Sequence, residues 1–260
     1  MEQQKELDVT VKNDTMLVNE TEWPAIVAGR MLYGECRIMS ERLGILFLHH
    51  QVDAVVKEHL RRLRKHNPGA TVVTMSSGKP LPNGYTLEPT PRLQWLHSLL
   101  VRRSSDQLVC SWFVQRKEVC DKWWIVEWDT FCAMPAREYY RPVWAFPFVA
   151  SSVCLKYRET EWFWFKKAGP LPEDYAPFAM GAVPFLYLMS EPALQAVCRM
   201  LLENPIKAGN GELRFATAAN RCGYAPCGYS PPNDQITWVN WTKLPPHPAI
   251  VHPVKIAFPG

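Results

Sequence analysis

The chain has 260 residues, 47% of them apolar and 21% charged, with a formal net charge of +4 at pH 7. That length can bury a substantial core, as one large domain or two closely joined lobes, and the absence of a dense basic block argues against nucleic-acid binding. No apolar run approaches the roughly 18–20 residues of a membrane helix, so no transmembrane segment is expected. The polar opening MEQQKELDVTVKND is unlike a signal peptide, which points to a cytoplasmic protein.

In chain order, residues 1–27 read as a polar N-terminal arm and 28–260 as the folded domain. Leu43–His50 is expected as a strand. Val52–His66 follows as an amphipathic helix, with Val52, Val55, Val56, Leu60 and Leu63 at helical spacing and its basic residues on the solvated face. Asn67-Pro68-Gly69 stops that helix. Ala70–Met75, β-branched and apolar, predicts a second strand, and Ser76–Gly84 a loop. Strand, helix, strand is the opening of an α/β fold with a central, mostly parallel sheet flanked by helices. A further helix is expected over about Asp106–Cys120.

That helix leads into "WWIVEWDT" (Trp123 to Thr130), where an apolar run ends in two carboxylates one residue apart. The run reads as a strand buried on both faces. If it stays extended, Glu127 and Asp129 project to one side and Trp128 to the other. Like charges converging at the end of a buried strand repel each other and lose hydration unless a cation sits between them. A strand leaving the core, with both acids solvated, is the plainer alternative. Their place at the C-terminal end of a parallel strand, where open α/β sheets bind ligands, favours a site.

The second half holds most of the 23 prolines and so predicts long ordered loops. Ser190–Asn204 is expected as a helix with Ser190 as N-cap and Pro192 in the first turn, and Gly211–Tyr224 as another, closed by Gly223. The tail, His247–Phe258, is expected to be extended. Eight cysteines contain no C-x-x-C and no companion histidine pair, so free, mostly buried thiols are expected rather than a zinc site. There is no P-loop, H-E-x-x-H, G-x-S-x-G or strand-linked G-x-G-x-x-G.

An acid-x-acid pair after a hydrophobic strand, in a chain that opens strand–helix–strand, resembles the nucleotide-sugar-dependent glycosyltransferases of the GT-A architecture. In that family a D-x-D element binds a divalent metal, which binds the donor diphosphate. Here the motif stands as Glu127-Trp128-Asp129, with Glu in the first place. The tail segment "HPVK" (His252 to Lys255) resembles the C-terminal His and Lys that several such enzymes fold back over the diphosphate. The layout covers roughly Leu43–Lys255, with about 43–130 as the nucleotide-sugar-binding half and 131–260 as the acceptor half.

The resemblance implies a Mn²⁺ or Mg²⁺ cofactor held by Asp129 and His252, with Glu127 beside it and His247 as the rival imidazole. It implies a nucleoside-diphosphate sugar as donor and a carbohydrate or glycolipid as acceptor. Lys255 would pair with a phosphate oxygen, and His50, Gln51, Ser76, Ser77 and Gly78 would receive base, ribose and further polar contacts. Inverting transfer needs a base for the acceptor hydroxyl. Glu212, at the start of a late helix, is the expected one, with Glu161 and Asp174 as competitors. Arg214 would pair with a carboxylate or a phosphate. Trp162, Trp164, Phe165, Tyr175 and Phe178 would form an aromatic platform for the acceptor, or simply pack the core. A sugar nucleotidyltransferase and a non-catalytic carbohydrate-binding protein are the alternatives. The former normally has a Gly-rich loop after the first strand, which "HHQVD" is not.

Overall fold

Leu43–His49 (β1) is a seven-residue strand buried along its whole length. Leu46 and Leu48 join a large core cluster on one face, so Ile45 and Phe47 face the other side. This computed structural model describes residues 41–87, 105–155, 162, 165–166, 171–229, 235–236 and 249–255. All of them fall in one unit, Ser40–Gly260, and the expected boundary at residue 28 lies outside the described residues.

Helix α1 spans Ala54–His66. It starts two residues later than the apolar spacing suggests because Asp53 is extended and caps it, its Oδ1 accepting from the Val56 N–H at 2.9 Å. Val56, Leu60 and Leu63 are buried, and Lys57, Arg61, Arg64 and Lys65 are exposed, as expected. The next strands are Thr71–Ser76 (β2) and a two-residue strand, Tyr85–Thr86 (β3), just after the predicted loop. Helix α2, Ser105–Gln115, stops short of Cys120.

Strand β4, Lys122–Glu127, runs parallel to β1, and β1 runs parallel to β2. Beyond β4 the direction changes. Met180–Ser190 (β7) pairs antiparallel with both β4 and Phe148–Leu155 (β6), while Cys227–Gly228 (β8) pairs parallel with β6. The seven-stranded order is β3-β2-β1-β4-β7-β6-β8, so the sheet is mixed and mostly parallel. After a one-turn helix, Ala136–Tyr139 (α3), helices Glu191–Glu203 (α4) and Gly211–Arg221 (α5) join α2 in covering one face, through Leu108, Trp112, Leu194, Val197, Leu213 and Phe215. Both helix N-caps are side-chain oxygens: Ser190, as expected, and Asn210. Gly223, at φ +80°, closes α5 as expected.

In the second half, where long loops were expected, β6 and β7 form a long antiparallel pair towards the sheet's far side. Its register slips between Ala150↔Tyr187 and Ser152↔Val183, so three residues of β7 oppose one of β6. Pro184 falls in that bulge, where a missing N–H costs no ladder bond. A short second sheet is ordered β5-β10-β9, from Phe131–Cys132 (β5), Ile250–His252 (β10) and Gln235–Ile236 (β9). The tail strand β10 is therefore paired on both sides rather than free. The seven described cysteines are free, and most are buried.

Parallel strands put the ends of β1, β2 and β4 on one edge, and their packing leaves little room for change. Gly44 pairs with Trp123, and a methyl at Gly44 would overlap that indole ring. The ring cannot retreat, since it packs on Trp112 at 4.5 Å and its Nε1 donates to Glu191 at 2.7 Å. Gly44→Ala should therefore destabilise the fold by about 2–3 kcal/mol through overpacking. Urea unfolding would show this as a lower midpoint at unchanged slope.

Candidate functional site

The extended conformation does not continue through the acidic motif. β4 ends at Glu127, and Trp128 and Asp129 form a turn in which the Thr130 N–H donates to the Glu127 carbonyl at 3.0 Å. The alternating geometry expected for an extended strand is thus corrected, yet the two carboxylates still converge. The turn is held from two directions. The buried imidazole of His59, on α1, lies 2.9 Å from the Trp128 carbonyl, and the Val254 N–H donates to the Asp129 carbonyl at 2.7 Å. The second bond docks the tail, and β10 brings His252 with it.

His252 Nε2 lies 3.1 Å from Asp129 Oδ1 and 3.7 Å from Glu127 Oε2. One potential ligand atom from each of the three residues lies within 4.8 Å of the others, and this is the metal-competent group found among the described residues. Asp129 Oδ1 and both His252 ring nitrogens are buried without a regular hydrogen bond. Two carboxylates and an imidazole suit a divalent ion of the Mg²⁺ or Mn²⁺ type, and buried polar atoms aimed at one another without hydrogen bonds fit such an occupant. Burial alone would lower the His252 pKa, but the adjoining Asp129 and Glu127 outweigh it and raise it to about 9. Without a metal, the imidazolium takes the place of the cation between the acids.

Glu127 is fixed by a residue the sequence did not single out. Ser105 Oγ, at the start of α2, donates to Glu127 Oε1 at 2.5 Å and leaves Oε2 facing His252. Lys255 is exposed beside the cluster, and its charge reaches Asp129. Glu212 stands in the first turn of α5, partly buried, with Oε2 accepting from the Asn210 amide at 2.7 Å. Burial, and then the charge of Glu127, push its carboxyl up to about 8, while Asn210 and His252 pull the other way. The structure thus brings Glu127, Asp129, His252, Lys255 and Glu212 into one electrostatic neighbourhood.

The residues proposed for the nucleotide are less uniform. Exposed His50 meets the Trp128 ring edge-on at 5.2 Å, which puts it beside the acidic turn. Gln51 is tied to Asp53, to which its amide donates at 2.8 Å. Ser76 is buried in its own turn, donating to the Lys79 carbonyl and accepting from the Gly78 N–H. Its hydroxyl is occupied structurally. Ser77 has a buried hydroxyl without a partner, and its N–H donates to the His49 carbonyl. Gly78 is exposed and approaches the His50 carbonyl so closely that a Cβ would stand 2.7 Å from it.

The competitors separate. Asp174 is mostly exposed and paired with Arg221, and Glu161, His247 and Trp164 lie outside the described residues. Arg214 pairs with a carboxylate, that of Asp106. Of the aromatic platform, Trp162 and Phe165 meet edge-to-face, ring centroids 4.8 Å apart, against the core. Tyr175 is buried and donates to the Asn204 carbonyl, and Phe178 is half-buried. Packing accounts for the first three. Among the described residues no helix is long and apolar enough to cross a membrane.

No protein-family model matches the chain, and no curated protein matches it. Among solved structures, the galactosyltransferase LgtC with donor and acceptor sugar analogues is 10% identical over 72% of this chain and 73% of that one, at a TM-score of 0.41. Glucosyl-3-phosphoglycerate synthase from Mycobacterium tuberculosis, with Mn²⁺, UDP and glucosyl-3-phosphoglycerate, is 12% identical over 74% and 71%, at 0.44. The same synthase with Mn²⁺ and UDP-glucose is 11% identical over 82% and 77%, at 0.41. Likenesses this distant carry no argument about activity.

The two raised pKa values set a pH window for stability. Glu212 keeps in the fold a proton that the unfolded chain loses near 4.5, up to about 8. His252 does the same between 6.5 and about 9. In both, the native state binds more protons, so stability falls as pH rises. The histidines His49, His59 and His66, whose pKa values are lowered, have the opposite effect, which is complete near 6.5, and that of Lys122 begins near its folded value of about 8. Between pH 6.5 and 8, in chelator, stability should therefore fall by on the order of 1–2 kcal/mol. Glu212→Gln and His252→Gln should each flatten that slope in chemical unfolding.

Proposed function

We propose that the chain is a metal-dependent glycosyltransferase of GT-A type, moving a sugar from a nucleoside-diphosphate sugar onto a carbohydrate or glycolipid acceptor with inversion. The observation that carries this reading is the meeting of Glu127 and Asp129 with the tail residue His252 at the C-terminal edge of parallel strands. Asp129 and His252 would hold Mn²⁺ or Mg²⁺, with Glu127 as a further oxygen donor. The imidazole favours Mn²⁺. A bound divalent ion supplies Lewis-acid neutralisation of the leaving diphosphate.

The chain's own residues do the rest. Lys255, exposed next to Asp129, is positioned to pair with a phosphate oxygen. His50, Ser77 and Gly78, at the ends of β1 and β2, supply contacts for the nucleoside, whereas Ser76 and Gln51 shape the loops that present them. Glu212 accepts the acceptor hydroxyl proton as the new C1–O bond forms and the C1–O bond to phosphate breaks. A carboxyl group with a pKa near 8 is matched to proton transfer close to neutral pH. Its Asn210 hydrogen bond fixes one oxygen and leaves the other for the acceptor.

Thermal unfolding with a panel of nucleoside diphosphates, with and without Mn²⁺, tests the site directly, because a ligand that binds only the native state raises the midpoint. One diphosphate should stabilise the protein only with metal, and Asp129→Asn should abolish that shift while leaving the far-UV spectrum intact. Donor turnover in Asp129→Asn should fall at least about 100-fold, the scale expected when transition-state charge loses its stabilising partner. Equal turnover in wild type and variant would sink the assignment.

A further inference from the structure

Asp106 and Arg214 are 108 residues apart in sequence and almost completely buried, at 0% and 5% exposure. Arg214 Nε and Nη2 donate to the two oxygens of Asp106 at 2.7 and 2.9 Å, a two-pronged pair. Arg214 Nη1 also donates to the carbonyl of Gly209. The first turns of α2 and α5 meet here so closely that a Cβ on Gly211 would stand 2.7 Å from Asp106 Oδ1. Neither residue belongs to the metal group or to the acid, yet each adjoins one of them. Ser105, next to Asp106, donates to Glu127. Arg214 grips the carbonyl just before Asn210, which in turn holds Glu212.

We propose that the Asp106–Arg214 pair is a positioning clamp for the reaction site, fixing Ser105 against Glu127 and the Gly209–Glu212 turn at a set spacing from it. The inference rests on the metal-dependent transfer proposed above. Its physical basis is that a bidentate guanidinium–carboxylate pair resists both sliding and rotation. It therefore joins two helix starts that share no backbone hydrogen bond among those described. Glu127 has one oxygen turned to Ser105 and the other to His252, so loss of the Ser105 contact frees the carboxylate to rotate away. Outer-sphere partners of this kind typically change metal affinity by about 10–100-fold.

The test measures Mn²⁺ binding by calorimetry on the folded full chain, with far-UV circular dichroism and unfolding midpoints alongside. Ser105→Ala removes the contact at its mildest point. Arg214→Lys keeps the charge but loses the fork, and Gly211→Ala forces the helix starts apart. Glu191→Gln, which weakens the partly buried Arg116–Glu191 pair away from the site, is the stability control. All three site variants should bind Mn²⁺ about 10–100-fold more weakly at a wild-type spectrum, and the control should lose stability but not affinity. If the folded site variants bind as tightly as wild type, the clamp is merely structural and the proposal falls while the metal site stands. Failure of wild type itself to bind Mn²⁺ would overturn the site reading and this one with it. Should Arg214→Lys not fold, Gly211→Ala decides for the clamp, because Ser105→Ala reports only on the contact that the clamp positions.

Discussion

The hydrogen bond from the Val254 N–H to the Asp129 carbonyl joins the last described segment of the chain to the turn that ends β4. Without the docked tail the turn would present two carboxylates with no imidazole beside them. With it, β10 lies between β5 and β9, and its histidine reaches both acids. Phe131, Ala249, Val251 and Val254 form a small apolar cluster under the junction. Burying a Phe or Val side chain contributes roughly 1.5–3 kcal/mol when complete, so Phe131, Val251 and Val254 are enough to keep a short strand docked. The site is therefore a product of tail docking as much as of the main sheet.

The docked arrangement is electrostatically tense. Asp129 is 7% exposed, and burial disfavours its ionised form, but His252 and Lys255 outweigh that and hold its pKa below the ordinary value. His59 faces the same turn from the other side and is kept mostly neutral by burial, so it contributes a polar contact to the Trp128 carbonyl rather than a competing charge. One imidazole carries the positive charge while the other positions the backbone. A cation beside them, whether an imidazolium or a divalent metal, offsets the repulsion between carboxylates this close.

How far the sequence revealed this depended on the range of each interaction. β1, α1, β2 and the buried part of β4 follow from local patterning, and only the start of α1 needed a structural detail, the Asp53 cap. The antiparallel pairing of β6 with β7 was not legible, since Pro184 and the bulge around it break the alternation that marks β7 as a strand. Glu127, Asp129 and His252 were readable as types in a plausible order. Their true geometry was not, since a turn replaces the extended strand. Ser105, His59 and Asp106 gave no signal, and Arg214 was readable only as a partner for some carboxylate or phosphate. Their partners lie 22, 69 and 108 residues away, and nothing in local spacing marks such contacts.

The allotment of one arginine explains the character of the acid. Glu212 and Arg214 are two residues apart on α5, and positions so spaced do not face each other on a helix. Arg214 turns instead to Asp106, leaving Glu212 with a neutral amide as its hydrogen-bond partner. A salt-bridged Glu212 would be a permanently ionised, structural carboxylate. Kept from water by burial, beside Glu127 and away from a guanidinium, it holds its proton up to about 8 and can exchange it near neutrality. Removing Arg214 from Glu212 thus does two things at once: it ties together the helix starts that hold the site, and it leaves the acid free to titrate.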